Sequence, residues 1–107
     1  MPTIDTPDPR DVSVQHLLFR LIGALVDHPD ETAIRLVSGE EGATFLINAH
    51  PEDVGKIIGA QGRTAKSLRT IVSGIGRKQG RKFTVVIEES DGGQARSKLD
   101  AHEILSA

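Results

Sequence analysis

Gly59 and Gly62 enclose two residues, and basic side chains stand on both sides of them at Lys56, Arg63 and Lys66. Because glycine has no Cβ, a loop with glycine at both ends lets another backbone approach closely and can adopt the positive φ values of tight turns. A helix that begins directly after such a loop adds free N–H groups and a partial positive charge, which suit a phosphate. The residue types and their spacing therefore predict a loop that binds the phosphates of a polyanion.

The basic residues around this loop are segregated from the acidic ones. Between Val54 and Ile87 the chain has eight basic residues and no acid, whereas the whole sequence carries 15 acids and a net charge of -2. A cationic surface of this kind attracts an anionic ligand. Arg63, Lys66 and Arg69, three residues apart on a helix, would drift by about 60° per step and could follow a phosphate path.

Hydrophobic periodicity predicts the elements that must position the loop. Apolar residues recur at intervals of three and four over residues 14–26, which predicts a helix capped by Asp11 or Ser13. Residues 33–37 and 43–49 are short apolar or β-branched runs on either side of a turn-like segment. These two runs predict a β-hairpin.

A second helix is predicted to begin at Pro51, whose missing N–H would have no helical partner there, and to end at the glycine loop. A third helix is predicted from Arg63. Its inward-facing residues are expected to be Ala65, Leu68, Ile71, Val72 and Ile75. Alternation over residues 81–88 predicts a third strand. The predicted fold is α+β, in the order αββααβ, with a three-stranded sheet packed against three helices.

One small domain is predicted for residues 12–89, with polar ends. Residues 1–11 are rich in proline and acids where a signal peptide needs basic and apolar residues, which predicts a disordered leader. Residues 90–107 are predicted to form a polar tail, flexible or weakly helical. The apolar passage Leu17–Val26 falls far short of the ~20 residues that span a bilayer, so we expect no membrane partner and a cytoplasmic location.

Enzymatic and metal chemistry find little support in the sequence. The chain has no cysteine, which excludes disulfides, zinc fingers and thiol catalysis, and its four histidines lack metal-site spacing. Residues 62–64 lack the lysine of a Walker motif, and residues 74–80 end a helix where a dinucleotide-binding fingerprint opens one. His28 and His50 precede prolines at element boundaries, where capping is favoured over acid–base catalysis. We expect no catalysis, cofactor or metal.

The apolar residues on both sides of the glycine loop are typical of a K-homology (KH) domain, whose loop clamps the backbone of about four nucleotides while an apolar groove receives the bases. Four apolar residues are candidates for the core or for the groove walls: Ile47, Ile57, Ile58 and Leu68. Over residues 12–88 the chain resembles the small bacterial KH-domain proteins of the KhpA type. The resemblance is carried by Leu25-Val26-Asp27-His28-Pro29, by Pro51-Glu52-Asp53-Val54-Gly55-Lys56-Ile57-Ile58-Gly59 and by Gln61-Gly62-Arg63-Thr64-Ala65-Lys66.

This resemblance implies a compact type II-like KH fold and a non-catalytic protein that binds single-stranded RNA as an RNA chaperone or post-transcriptional regulator. It also implies partnership with a KH protein of the KhpB (Jag) type. The candidate RNA-binding residues are Lys56, Ile57, Ile58, Gly59, Ala60, Gln61, Gly62, Arg63, Thr64, Lys66 and Arg69. The family loop commonly has lysine at its first variable position, where this chain has Ala60, so more of the phosphate contact is expected from backbone donors.

Two questions stay open at the level of sequence. The chain could instead be a protein-interaction module that forms homodimers or heterodimers through the first helix or a sheet edge, with RNA contact secondary. The basic cluster at residues 77–82 could be a solvated turn or an extra phosphate contact beyond the groove.

Overall fold

The computed structural model describes residues 7–89, so the predictions for residues 1–6 and 90–107 lie outside the described part of the chain. The elements are α1 (Pro9–Leu25), β1 (Ala33–Ser38), β2 (Gly42–Ala49), α2 (Pro51–Ile58), α3 (Arg63–Gln79) and β3 (Lys82–Glu89). Short 3-10 turns at Pro29–Glu31 and Ala60–Gly62 precede β1 and α3. The predicted order αββααβ and the α+β class are confirmed.

The sheet is mixed, with β2 at its centre. β1 pairs with β2 antiparallel, whereas β3 pairs with β2 parallel, with Phe45 opposite Val85. A parallel neighbour requires a crossover connection, and α2 and α3 provide it. Every second residue of β2 is buried, so one face of the central strand faces the core.

One hydrophobic core joins this face to all three helices. Its largest fully buried apolar side chains are Phe45, Leu18, Ile22, Ile47, Ile57, Ile87, Val72 and Val85. Phe45 and Phe83 meet edge to face, with ring centroids 5.2 Å apart. Ile57 of α2 and Val72 of α3 thereby fix the two helices that flank the glycine loop onto the sheet.

The first helix begins earlier than predicted. Asp8 is its N-cap, and the Asp8 side chain accepts the N–H of Arg10 at 2.9 Å. Pro9 takes the first helical position, where a missing N–H costs nothing. Residues 9–11 are therefore helical and not part of a disordered leader. The predicted cap Asp11 is instead completely buried within the first turn.

Two helices expose more apolar surface than their periodicity predicted. Ile71 of α3, expected to face inward, is 52% exposed. Four apolar side chains of α1 are also more than a third exposed: Leu17, Phe19, Leu21 and Leu25. The buried stripe of α1 is narrow because Val14, Leu18 and Ile22 recur at intervals of four. Among residues 7–89, the helices fall short of the length and hydrophobicity that a membrane span requires.

Candidate nucleic-acid interface

The glycine loop joins α2 to α3 through a chain of unusual backbone angles. Gly59 ends α2 with φ 79° and ψ 172°, and its N–H donates to the carbonyl of Gly55 at 2.8 Å. Gln61 and Gly62 follow with φ 57° and 74°. The N–H of Gly62 donates to the carbonyl of Gly59 at 3.0 Å, which closes the turn. Three of the four loop residues thus have positive φ, and the chain reverses sharply before α3.

Close packing against Thr64 explains why the first residue of the loop, Gly59, is a glycine. A Cβ placed on Gly59 would lie 2.7 Å from the Cβ of Thr64 and 2.9 Å from the backbone N of Thr64. Real side chains do not reach such distances, so the first turn of α3 can approach the end of α2 only over a glycine. Thr64, a candidate RNA-binding residue, therefore has its half-buried side chain against the loop.

The loop also leaves backbone donors available. Within residues 7–89, the N–H groups of Ala60 and Gln61 donate no backbone hydrogen bond, and both residues are exposed. Gly62 precedes α3 without a side-chain cap, and the N–H of Arg63 donates to the carbonyl of Ala60. The N–H groups of Ala60 and Gln61 lie near the positive end of the α3 dipole, an arrangement that suits a phosphate.

The predicted groove residues mostly belong to the core. Ile47 and Ile57 are completely buried and Leu68 is nearly so. Ile57 was a candidate RNA-binding residue, and its burial excludes direct contact with a ligand. Ile58 is half-buried at the edge of the core beside the loop and remains accessible. Helical spacing explains the difference, because adjacent residues of α2 face different directions.

Lys56, a candidate RNA-binding residue, pairs with acidic residues of this chain. Its Nζ lies 3.3 Å from the Oδ2 of Asp27 and 3.7 Å from the Oδ1 of Asp53, and it donates to the carbonyl of Glu52 at 3.3 Å. These acids stand at the opposite end of α2 from the glycine loop. The acid-free run in the sequence gave no sign of this pairing, since Asp27 comes from the loop after α1.

The other predicted cations are free for a ligand. Among residues 7–89, Arg63, Lys66 and Arg69 take no part in any ion pair. Arg63 donates to the side-chain oxygen of Gln61 at 2.9 Å and so lies over the loop. Lys66 is exposed one turn further along α3, and Arg69 is half-buried beyond it.

The basic residues at positions 77–82 differ in burial and do not form one surface. Arg77 and Lys78 are exposed on the last turn of α3, whereas Arg81 is buried. Arg81 forms a buried ion pair with Asp11, with Nη2 2.6 Å from Oδ2 and Nε 3.0 Å from Oδ1. The same guanidinium donates to the carbonyls of Gly39, Glu40 and Gly42. Arg81 is therefore a structural residue that joins α1 and β3 to the β1–β2 turn.

A second polar cluster lies at the N-terminal end of α2. Nδ1 of His28 is 3.1 Å from Oδ2 of Asp53, and the ring of His28 stacks on that of His50 with centroids 4.1 Å apart. The hydrogen bond with Asp53 raises the pKa of His28 above its ordinary value. Burial alone would raise the pKa of Asp53, but hydrogen bonds from the backbone N–H groups of Asp27 and His28 and from the His28 ring outweigh it and lower that pKa.

These histidines were predicted to cap elements and to lack metal spacing. The capping prediction is confirmed for His50, whose Nδ1 accepts the N–H of Glu52 at 3.0 Å. His28 makes no such cap and bonds Asp53 instead. The fold also brings possible ligand atoms of His28, His50 and Glu52 within 4.8 Å of one another. The Nδ1 of His50 is used by the helix cap, which leaves its Nε2 as the possible ligand atom, and the hydrogen bond between His28 and Asp53 joins the loop after α1 to α2.

Two helices joined by a Gly-x-x-Gly turn and packed on a three-stranded mixed sheet in the order αββααβ define a KH domain of type II. The model of the family described as "KhpA/KhpB, KH domain" matches residues 15–87 of this chain. The chain belongs to the KhpA/KhpB family.

Relatives from distant bacteria agree with this assignment. The chain is 40% identical over 79 residues to the RNA-binding protein KhpA of Mycobacterium tuberculosis, a match that covers 74% of this chain and 90% of the relative. It is 38% identical over 74 residues to that of Clostridium acetobutylicum, covering 69% of this chain and 99% of the relative. It is 34% identical over 76 residues to that of Listeria monocytogenes, covering 71% and 100%. No solved structure matches the chain.

Proposed function

We propose that this protein is a non-catalytic, single-stranded RNA-binding module that holds the sugar-phosphate backbone at its Gly-x-x-Gly loop. The observation that carries the proposal is the loop itself: Ala60 and Gln61 are exposed beside the start of α3, and their N–H groups donate no backbone hydrogen bond within residues 7–89. Arg63, Lys66 and Arg69 add charge without a competing acid among residues 7–89. The relatives' name, RNA-binding protein KhpA, supports RNA as the polyanion.

The proposed contacts come mainly from the backbone and from α3. Ala60 brings no charge to the loop, and Lys56 is engaged by Asp27 and Asp53. The described residues hold two phenylalanines in the core and one on α1, so base stacking on an aromatic platform beside the loop is not expected. Recognition would rest on backbone and shape, with little discrimination between sequences, as befits an RNA chaperone or a post-transcriptional regulator.

Fluorescence anisotropy with a labelled single-stranded RNA tests this proposal. The variant Ala60→Asp, Gln61→Asp puts two negative charges where the phosphate would lie and should abolish or strongly weaken binding. The matched control Arg35→Glu changes the net charge by the same two units at an exposed position of β1 and should leave affinity nearly unchanged. If the loop variant and this control bind RNA with equal affinity, the loop is not the RNA site.

We further propose that the exposed apolar edge of α1 pairs this domain with a second KH domain, either another copy of this chain or a protein of the KhpB type. Phe19 is 48% exposed and lines a groove of about 620 Å³ between α1 and β1. Light scattering would test self-association. Phe19→Lys should yield a monomer, whereas Val37→Lys, at a residue 53% exposed on β1, should leave the dimer intact. A wild-type protein that stays monomeric alone and when mixed with a KhpB-type protein would contradict this pairing.

A further inference from the structure

The outer face of α3 is polar and cationic along its whole length. Residues three, four and seven apart lie on the same side of a helix, which places Lys66, Arg69, Thr70, Ser73 and Arg77 in one row. The last four of these residues line a shallow groove of about 170 Å³. The groove has guanidinium groups at both ends and hydroxyl groups between them.

The charges in this row are not neutralised within the described chain. Three other cations of the acid-free run have acidic partners: Lys56 with Asp27, Arg81 with Asp11, and Lys82 with Glu41. By contrast, neither Arg69 nor Arg77 belongs to an ion pair anywhere in residues 7–89. The acid-free run has eight basic residues, and those that the fold leaves without an ion pair all lie on α3.

The guanidinium and hydroxyl groups of this groove suit a phosphate. A guanidinium presents parallel N–H donors that match two oxygens of one phosphate. Hydroxyl groups donate to the same oxygens and commonly contact nucleic-acid backbones. Arg69 and Arg77 stand two turns apart, about 12 Å along the axis, so each could hold a different phosphate of one strand.

We propose that this groove is a second phosphate-binding site, which holds the backbone of the same RNA strand after it leaves the glycine loop. The inference rests on the proposed function. Lys66 connects the two sites, since it lies on the same face between Arg63 and the groove. The rise of a helix places Arg77 about 21 Å from Arg63 along the axis of α3, so nucleotides beyond the roughly four that a KH loop clamps are needed to contact it. The bound strand is therefore longer than the loop alone requires.

Binding of oligouridines of five and twelve nucleotides distinguishes the glycine loop from the α3 groove. Affinities are measured by fluorescence anisotropy at several salt concentrations. Arg77→Gln should weaken binding of the twelve-mer and reduce its salt slope by about 0.7, the value for one phosphate contact on a single strand. The five-mer should bind Arg77→Gln as it binds the wild type. Thr70→Glu, which adds a negative charge to the exposed side of the groove, should act in the same direction.

Lys78→Gln is the matched control. It removes the same charge from the next residue of the same exposed turn, about 100° round the helix and outside the groove, and should change neither oligonucleotide's affinity. The second site is overturned if Arg77→Gln and Lys78→Gln affect the twelve-mer equally, or if Arg77→Gln weakens both lengths alike. A groove that serves an acidic protein segment instead would leave the twelve-mer unaffected by Arg77→Gln, which overturns the proposal too. Failure of the proposed function has a different signature, because the wild type would then bind neither length.

Discussion

Glycine is required more strictly at position 59 than at position 62 of the loop. Gly59 has φ 79° and ψ 172°, a region that is essentially restricted to glycine, and Thr64 packs where its Cβ would be. Gly62 has φ 74° and ψ 12°, which is the left-handed helical region. Gln61 occupies that region beside it, so a side chain is tolerated there at a cost. Gly59 is the stricter of the two positions.

Gly59→Ala should therefore lower the free energy of unfolding by at least about 1–3 kcal/mol, the usual cost of one residue held in such a backbone region. Urea denaturation measures this change. Gly55→Ala is the control, because a Cβ on Gly55 meets nothing within 4 Å and lies inside α2. That substitution should stabilise the protein by about 0.5–1 kcal/mol. Equal stability of Gly59→Ala and the wild type would contradict the packing of Thr64 over the loop.

The contact between His28 and Asp53 makes stability depend on pH. The hydrogen bond with Asp53, aided by the charges of Asp53, Glu52 and Glu31, raises the pKa of His28 in the folded protein. The unfolded value is about 6.5, so this contribution is fully present below pH 6.5 and is lost as pH rises through the higher folded pKa. We expect the melting temperature to fall as pH rises from about 6 to 8.

His28→Gln should flatten this pH dependence, since it removes the titrating ring. His16→Asn replaces an exposed histidine of α1 and should retain the wild-type profile. The lowered pKa of Asp53 acts in the other direction and at lower pH: its contribution is present above about pH 3.9 and is lost as pH falls. An unchanged profile in His28→Gln would contradict the assigned partner.

At the scale of elements, local patterns predicted the type and order of each helix and strand. The hairpin, the start of α2 at Pro51 and the loop before α3 follow from residues that are close in the sequence. The start of α1 was misplaced because Asp8 can cap a helix as well as Asp11, and the contacts that bury Asp11, with Ser38 and Arg81, come from distant parts of the chain. Likewise, nothing local to residues 77–82 separates the buried Arg81 from its exposed neighbours.

The Asp11–Arg81 ion pair should be essential for joining α1 to the sheet. Asp11→Ala would leave the buried guanidinium of Arg81 with only the carboxylate of Asp8, 3.9 Å away, as counter-charge, and removing one partner of a buried pair typically costs about 3–5 kcal/mol. Loss of Asp11 would also deprive the Ser38 hydroxyl of its acceptor. Chemical denaturation should reveal a large loss of stability, or an unfolded protein.

Asp27→Ala is the comparison for this variant. Asp27 also pairs with a cation, Lys56, but its side chain is 71% exposed. Exposed pairs contribute about 0–1 kcal/mol, so this variant should remain close to the wild type. Similar losses for the two aspartates would mean that burial does not decide the strength of these pairs.

For the whole molecule, the distribution of charge differs between the sequence and the fold. The run from Val54 to Ile87 contains no acidic residue. In the fold, however, acids from outside the run pair with three of its cations: Asp11 of α1 with Arg81, Asp27 of the loop after α1 with Lys56, and Glu41 of the β1–β2 turn with Lys82. Within this run the cations without an ion pair all lie on α3, which begins at the glycine loop; outside the run, Arg20 and Arg35 also lack an acidic partner among residues 7–89. Sequence patterns could therefore predict the loop and the helix that holds Arg63, Lys66 and Arg69, but not that Lys56 would be engaged and Ile57 buried.

The proposed RNA site consists of the backbone of the Gly59–Gly62 loop and the first turn of α3, which bind the phosphates of a single strand. A titration of ¹⁵N-labelled protein with oligouridine, followed by amide chemical shifts, reports on these contacts residue by residue. We predict that the largest shifts fall on Ala60, Gln61 and Thr64, with Ser13 and His16 on α1 unmoved. Loop amides that stay in place while another surface of the domain shifts would contradict the proposed RNA site.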